Sequence, residues 1–158
     1  MTPRFTLRPL TPADAEAVAA LVRQAFATQT VATDPPPSAL RETPENIAAI
    51  LAEGGGAAAI IDGHLAGALV WQEKAGGLYI GRLCVNDADR RHGIARALVA
   101  AAETEARRTG QPRLWLSTRL SLTDNRRLFA GCGFVEIAEH AHPGYSAPTF
   151  VDMEKRLA

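Results

Sequence analysis

Leu78-Tyr79-Ile80-Gly81-Arg82-Leu83-Cys84-Val85, followed after a short polar loop by Arg90-Arg91-His92-Gly93-Ile94-Ala95-Arg96, decides how the chain is read. The first run is apolar and of strand length, and the second opens the strongly helical stretch ARALVAAAETEARR, so a basic turn sits between a strand and a helix. At such a place the first N–H groups of the helix have no acceptor within it, and the positive end of its dipole points the same way. The two together make an anion site. Small residues at Gly93 and Ala95 let an anion approach the backbone, and Gly93 can take torsions closed to other residues. Arg90, Arg91 and Arg96 add charge-assisted hydrogen bonds. On this stretch alone, an ordinary helix start with a solvated basic collar remains the alternative.

Working outward, AAAIIDGHLAGALVWQE holds two apolar runs joined by Asp62-Gly63, a pair suited to the positive φ angles of a two-residue hairpin. Lys74-Ala75-Gly76-Gly77 turns the chain again into LYIGRLCV, which predicts a three-stranded meander. Before the meander, FTLRPL (5–10) reads as a short strand, and Thr11-Pro12 supplies a cap and a first-turn proline for a helix to about Phe26. Val18, Leu21, Val22 and Phe26 keep its helical spacing. TVATDPPPSALRET is irregular, and Thr43-Pro44-Glu45 starts a second helix that Gly54, Gly55 and Gly56 are expected to end. After the basic turn come a helix over 93–108, a strand over 112–118, a helix LTDNRRLFAGC stopping at Gly133, and closing strands over 134–139 and 149–153 around the loop HAHPGYSAP.

The 158 residues, 47% of them hydrophobic, suit one domain over 1–158 with a single substantial core. Seventeen basic and seventeen acidic side chains cancel. No whole-molecule field draws nucleic acid or an anionic membrane, and nucleic-acid binding through RRHGIAR and NRR is disfavoured because apolar residues interrupt both. The N-terminus lacks the apolar core of a signal peptide and no run reaches about 18 apolar residues, so a cytoplasmic protein is expected. Cys84 and Cys132 stand in apolar segments without metal-ligand spacing, and His140-x-His142 lacks a third ligand, so neither a disulfide framework nor a metal is expected.

The pattern Arg90-x-x-Gly93-x-Ala95 between strand and helix resembles the Q/R-x-x-G-x-G/A pyrophosphate loop of the GCN5-related N-acetyltransferase (GNAT) family, and the resemblance in element order covers most of the chain. It implies an α/β fold with a mixed, mostly antiparallel sheet of about seven strands and about four helices, splayed between the fourth and fifth strands. Acetyl-CoA as co-substrate would lie in that opening. Leu83, Cys84 and Val85 would meet the pantetheine arm, and Arg90, Arg91, His92, Gly93, Ile94, Ala95 and Arg96 the pyrophosphate. The chain departs from the family twice: Phe129 stands where a Tyr commonly protonates the departing thiolate, and Leu122 where many members carry an Asn, with Asn125 one helical turn later as its substitute. Phe129 and Asn125 would line the cofactor. The implied reaction is direct attack of a primary amine of a small molecule or peptide on the thioester, with a backbone N–H near Val85 polarising the carbonyl.

Proton handling falls to His142 and Tyr145 in HAHPGYSAP, ranked ahead of Glu73. Asp34 and Glu73 could pair with an acceptor ammonium, and Arg82 and Arg119 with a carboxylate or phosphate. Strict strand alternation puts Arg82 on the opposite sheet face from Leu83. The absent tyrosine keeps a second function open, a non-catalytic acyl-CoA sensor. An exposed edge strand expected at the C-terminus would suit a homodimer.

Overall fold

In the computed structural model, which describes residues 5–29 and 33–157, the chain forms β1 (Thr6–Pro9), α1 (Ala15–Ala27), α2 (Pro44–Glu53), β2 (Gly55–Ile61), β3 (His64–Lys74), β4 (Gly77–Val85), α3 (Ile94–Arg108), β5 (Arg113–Arg119), α4 (Thr123–Gly131), β6 (Val135–His140) and β7 (Phe150–Arg156). The strands make one sheet in the order β1-β2-β3-β4-β5-β7-β6. β4 and β5 run parallel and all other neighbours antiparallel, which is the mixed sheet with four helices that the sequence implied. The part of the irregular TVATDPPPSALRET segment at 30–32 lies outside the described residues.

Local chemistry explains most boundaries. Asp62 and Gly63 turn the β2–β3 hairpin with φ of +47° and +79°. Thr43 Oγ1 accepts from the Asn46 N–H at 3.1 Å and Pro44 occupies the first turn of α2. At Thr11-Pro12 the chain first makes a short 3-10 turn closed by the Asp14 carboxylate on the Thr11 N–H (2.8 Å), so α1 begins at Ala15. α2 ends at Glu53 with Gly54 as its cap; Gly55 and Gly56, expected to help end the helix, instead open β2. The reason is close approach: a Cβ on Gly56 would stand 2.5 Å from the Leu69 carbonyl oxygen of β3.

The central strands are covered on both faces, which is why Ala57, Ala58 and Ala59 read as a continuous apolar run. α3 packs on one face through Ile94, Leu98, Val99, Ala102 and Ala106, whose spacing keeps one stripe turned to the sheet. Ile94, Leu98 and Val99 each contribute about 1.5–3 kcal/mol by leaving water, and the two alanines less. α1 and α2 cover the other face with Val18, Val22, Ile47 and Leu51 against Ala68, Val70 and Cys84. β5 and β7 differ. Leu114, Leu116, Val151 and Met153 join the α3 side of the core, while Ser117 and Asp152 alternate with them onto a face that α1 and α2 do not cover. The edges of the sheet are β1 and β6, β6 being exposed along its whole length, and the C-terminal β7 lies inside the sheet between β5 and β6, contrary to the expected C-terminal edge. Seven register pairs, from Arg113↔Arg156 to Arg119↔Phe150, hold β7 against β5.

Candidate active site

The parallel ladder between β4 and β5 covers Leu78↔Leu114 and Tyr79↔Trp115 and then stops. Against β3 the register passes from Val70↔Gly81 to Ala68↔Cys84, so two residues of β4, Arg82 and Leu83, oppose Leu69 alone. This is a β-bulge, and Arg82 takes φ +54° within it. It breaks the strict alternation expected for Arg82 and Leu83 and adds twist where β4 parts from β5. A cleft of about 820 Å³ opens there, walled by residues 79–85 on one side and 116–119 on the other, with the start of α3 and α4 at one end.

At the α3 end the cleft is rich in donors. The Asn86 N–H donates to Ala66 of β3 at 2.7 Å, so the alternation of N–H directions along a strand turns the Val85 N–H toward β5 and the opening. The first helical bond of α3 runs from Ala97 N–H to Gly93 C=O (3.1 Å). The N–H groups of Ile94, Ala95 and Arg96 are therefore left without acceptors in the helix. Arg91 and Gly93 both have positive φ, +69° and +79°, and curl the turn so that its amides converge. Arg90, Arg91, Gly93, Ile94, Ala95 and Arg96 all line the cleft. His92, half-buried beside them, is not among the lining residues. Arg90 lies 3.6 Å from Asp87, a loose exposed contact.

Asn125, Leu122 and Phe129 line the same end. Phe129 is 7% exposed and meets Phe134 edge to face at 5.9 Å, so its ring belongs to both core and cleft wall. Cys84 also lines the cleft, but burial first of all pushes its thiol up to about 12, which removes it as a nucleophile.

The other end of the cleft is built from three segments distant in sequence. Arg119, at the end of β5, donates to the Pro35 carbonyl at 2.5 Å. The Tyr145 hydroxyl donates to Asp34 Oδ1 at 2.5 Å. His142 packs against Phe150 at 4.8 Å and Tyr145 at 6.3 Å between ring centres. Asp34, Arg119, His142 and Tyr145, chosen separately from the sequence, thus come together. Burial lowers the Arg119 pKa, partly opposed by Tyr145 and Asp34. Burial and then the nearby Arg119 charge lower that of His142. The hydrogen bond to Asp34 is the main cause that raises Tyr145 and so keeps its proton. The His142 N–H donates to Thr149 Oγ1 (3.0 Å), and its Nδ1 touches the same oxygen. When Nδ1–H donates there, Nε2 keeps its lone pair for the cleft.

Two expected acceptor-site residues are placed otherwise. Glu73 lies near the far end of β3, where it accepts from Gln111 Nε2 at 2.9 Å, and does not reach the cleft. Arg82 lines the cleft, but its Nε donates to Glu42 Oε2 at 2.8 Å and its Nη2 to Ser38 at 3.1 Å. The Glu42 side chain, 1% exposed, also accepts from the Thr43 N–H and Asn46 Nδ2. Sequence reasoning missed Glu42, and it missed Ser117 and Asp152, joined by a 2.6 Å hydrogen bond. The one signal for Ser117 was a polar residue interrupting the LWL run of β5. Among the described residues no three His, Cys, Asp or Glu side chains gather to hold a metal, and no helix is long and apolar enough to cross a membrane.

A strand pair parted beside a donor-rich helix start makes a cleft suited to an extended ligand with an anionic end. The model of the Acetyltransferase (GNAT) family matches residues 19–134, and the chain belongs to that family of acetyltransferases. Among solved structures it is similar to Ard1 from Thermoplasma volcanium (20% identity, TM-score 0.79, covering 98% of each chain). It is also similar to the Salmonella typhimurium protein yncA with its cofactor acetyl-CoA (17% identity, TM-score 0.76, covering 98% of this chain and 95% of that one). A third likeness is to the ribosomal-protein-S18-alanine N-acetyltransferase from Escherichia coli (19% identity, TM-score 0.74, covering 97% and 94%). No curated protein matches the chain by sequence.

Proposed function

We propose that the protein is an acetyl-CoA-dependent N-acetyltransferase that acetylates a primary amine of a small molecule or peptide by direct attack in a ternary complex. The observation that carries this is one continuous cleft, running from the free amides at the start of α3, between the parted β4 and β5, to Arg119 and His142, with Tyr145 and Asp34 against them just outside its lining. The amides of Ile94, Ala95 and Arg96 and the curl at Arg91 and Gly93 fit a pyrophosphate, and Leu83, Cys84 and Val85 fit an extended amide-bearing arm beside them. Asn125 and Phe129 complete that wall. When bound, acetyl-CoA supplies an acetyl group activated as a thioester.

The Val85 N–H, turned to the opening, donates to the carbonyl oxygen as negative charge grows on it. His142, held neutral at neutral pH by burial and by Arg119, takes the ammonium proton at Nε2 and frees the nitrogen lone pair. Tyr145 holds Asp34 beside Arg119 at the edge of the cleft, where the carboxylate draws a cationic acceptor toward the site before it seats. A C–N bond replaces the C–S bond, and the second proton of the attacking nitrogen passes to water. Phe129 has no proton to give, so the sulfur leaves as thiolate and takes its proton from water.

The test is thiol release from acetyl-CoA against amino acids, polyamines, aminoglycosides and peptides, with calorimetry for donor binding. Micromolar donor binding with amine-dependent thiol release is expected. The acid limb of kcat/KM should fall below the ordinary histidine value of 6.5 and disappear in His142→Gln. Donor binding without thiol release from any amine would favour the sensor reading that Phe129 suggests, and absence of donor binding would refute both.

A further inference from the structure

Resting on the acetyltransferase reading, we propose that the acceptor is a free α-amino acid with an apolar side chain, its carboxylate bound by Arg119 and its amine by Ser117, which Asp152 and His140 fix as an acceptor. Ser117 and Arg119 are two residues apart on β5 and share the sheet face that α1 and α2 leave uncovered. Their backbones are about 6.6 Å apart along the strand, a span that one α-carbon carrying both an amine and a carboxylate bridges with a hydrogen bond at each end. A long diamine or an internal lysine does not present both charges on one atom.

The polarity of each contact is settled by its neighbours. Ser117 has a single hydroxyl proton and donates it to Asp152 Oδ1 at 2.6 Å. The second carboxylate oxygen of Asp152 is held by His140 Nε2 at 2.8 Å. The Tyr79 phenol also interacts with Ser117 from the cleft wall, so of its two lone pairs Ser117 keeps one for a ligand, with the Asp152 carboxylate on its other side, and so takes one N–H. Arg119 is the complementary case. It is partly desolvated, its hydrogen bond goes to a neutral carbonyl, and among the described residues no carboxylate lies within ion-pair distance of it. Arg82, the other cation on this side, is already matched by Glu42. Thr33 Oγ1, buried without a hydrogen-bond partner, lines the same cleft and has a polar group to gain from a ligand. Phe150 stands directly across from Arg119 in the β5–β7 register, with His142 against its ring, and supplies the apolar wall for the side chain.

The test compares L-phenylalanine, L-phenylalaninamide and phenethylamine as acceptors in wild type and variants. Wild type should favour phenylalanine over both analogues, which lack the carboxylate. Arg119→Gln should cut kcat/KM for phenylalanine about 10- to 100-fold more than for phenethylamine, mainly through KM, with partial recovery in Arg119→Lys. Ser117→Ala should lower kcat for all three acceptors while calorimetric acetyl-CoA affinity stays at the wild-type value, which also shows that the variant is folded. Ser117→Ala with Asp152→Asn should be no worse than the poorer single variant, because the pair acts as one unit. Equal loss on all acceptors in Arg119→Gln, an unchanged kcat in Ser117→Ala, or wild-type acetylation of phenethylamine as fast as phenylalanine would overturn the inference while leaving the acetyltransferase reading intact. Failure of the wild type to bind acetyl-CoA would overturn both.

Discussion

Gly93 joins two requirements in one residue. Its φ of +79° costs little only without a side chain, and a Cβ built there meets nothing within 4 Å. A substitution at this position is thus a strain of about 1 kcal/mol rather than a clash, and charge can be separated from conformation. Gly93→Ala is expected to keep most donor affinity. Gly93→Asp, which tolerates the same torsion but puts a carboxylate among the α3 amides, should lower acetyl-CoA affinity by about 100-fold or more in calorimetry. Phe129 allows a second residue-scale test. Its ring reaches the cleft from the core, so Phe129→Tyr places a phenol at the wall with little repacking. Turnover should rise by up to about tenfold if thiolate departure limits the wild type. An unchanged kcat would show that step not to be limiting.

The β4 bulge and its anchor matter at the scale of elements. Arg82 adopts a left-handed conformation unusual for its type, and its guanidinium is clamped by the buried Glu42 at the start of α2. Glu42→Ala leaves Arg82, the Thr43 amide and Asn46 without their shared acceptor. It is expected to cost about 3 kcal/mol in urea denaturation, with Glu42→Gln losing less because an amide oxygen still accepts. None of this was legible in the sequence, since Glu42 and Arg82 are forty positions apart and each alone looks like a surface charge. The helix starts at Thr43-Pro44, the Asp62-Gly63 hairpin and the α3 stripe were legible, because caps, positive-φ turns and periodicity are local.

At the scale of the whole molecule, β1 is tied to the start of α1 by Arg8 and Asp14, paired at 2.8 Å. The hydrogen bond from Arg8 is the chief reason that Asp14 falls from 3.8 to about 2. A carboxylate depressed in the folded state contributes stability above its unfolded value, and that share is lost as the pH drops through the folded one. Urea midpoints should accordingly hold near neutrality and decline between about pH 4 and pH 2. Asp14→Asn should flatten part of that decline and lower stability at pH 7 by about 1 kcal/mol. The fold also divides its two faces unequally: α1 and α2 stop at β4, which leaves β5, β7 and β6 open on the side where Ser117, Arg119 and Asp152 stand.

By itself the sequence determined the order of elements and the turn at Gly93, because each rests on interactions within a few residues, whereas the mixed sheet was implied by the family resemblance and not by any local signal. Tertiary structure alone decided which charges serve the cleft. It removed Glu73 to the far end of β3, gave Arg82 to Glu42, and brought Asp34, Arg119, His142 and Tyr145 to one place. Those assignments depend on a bulge, on a strand order with β7 inserted beside β5, and on contacts between segments up to 111 positions apart, none of which leaves a periodic or local trace in the chain.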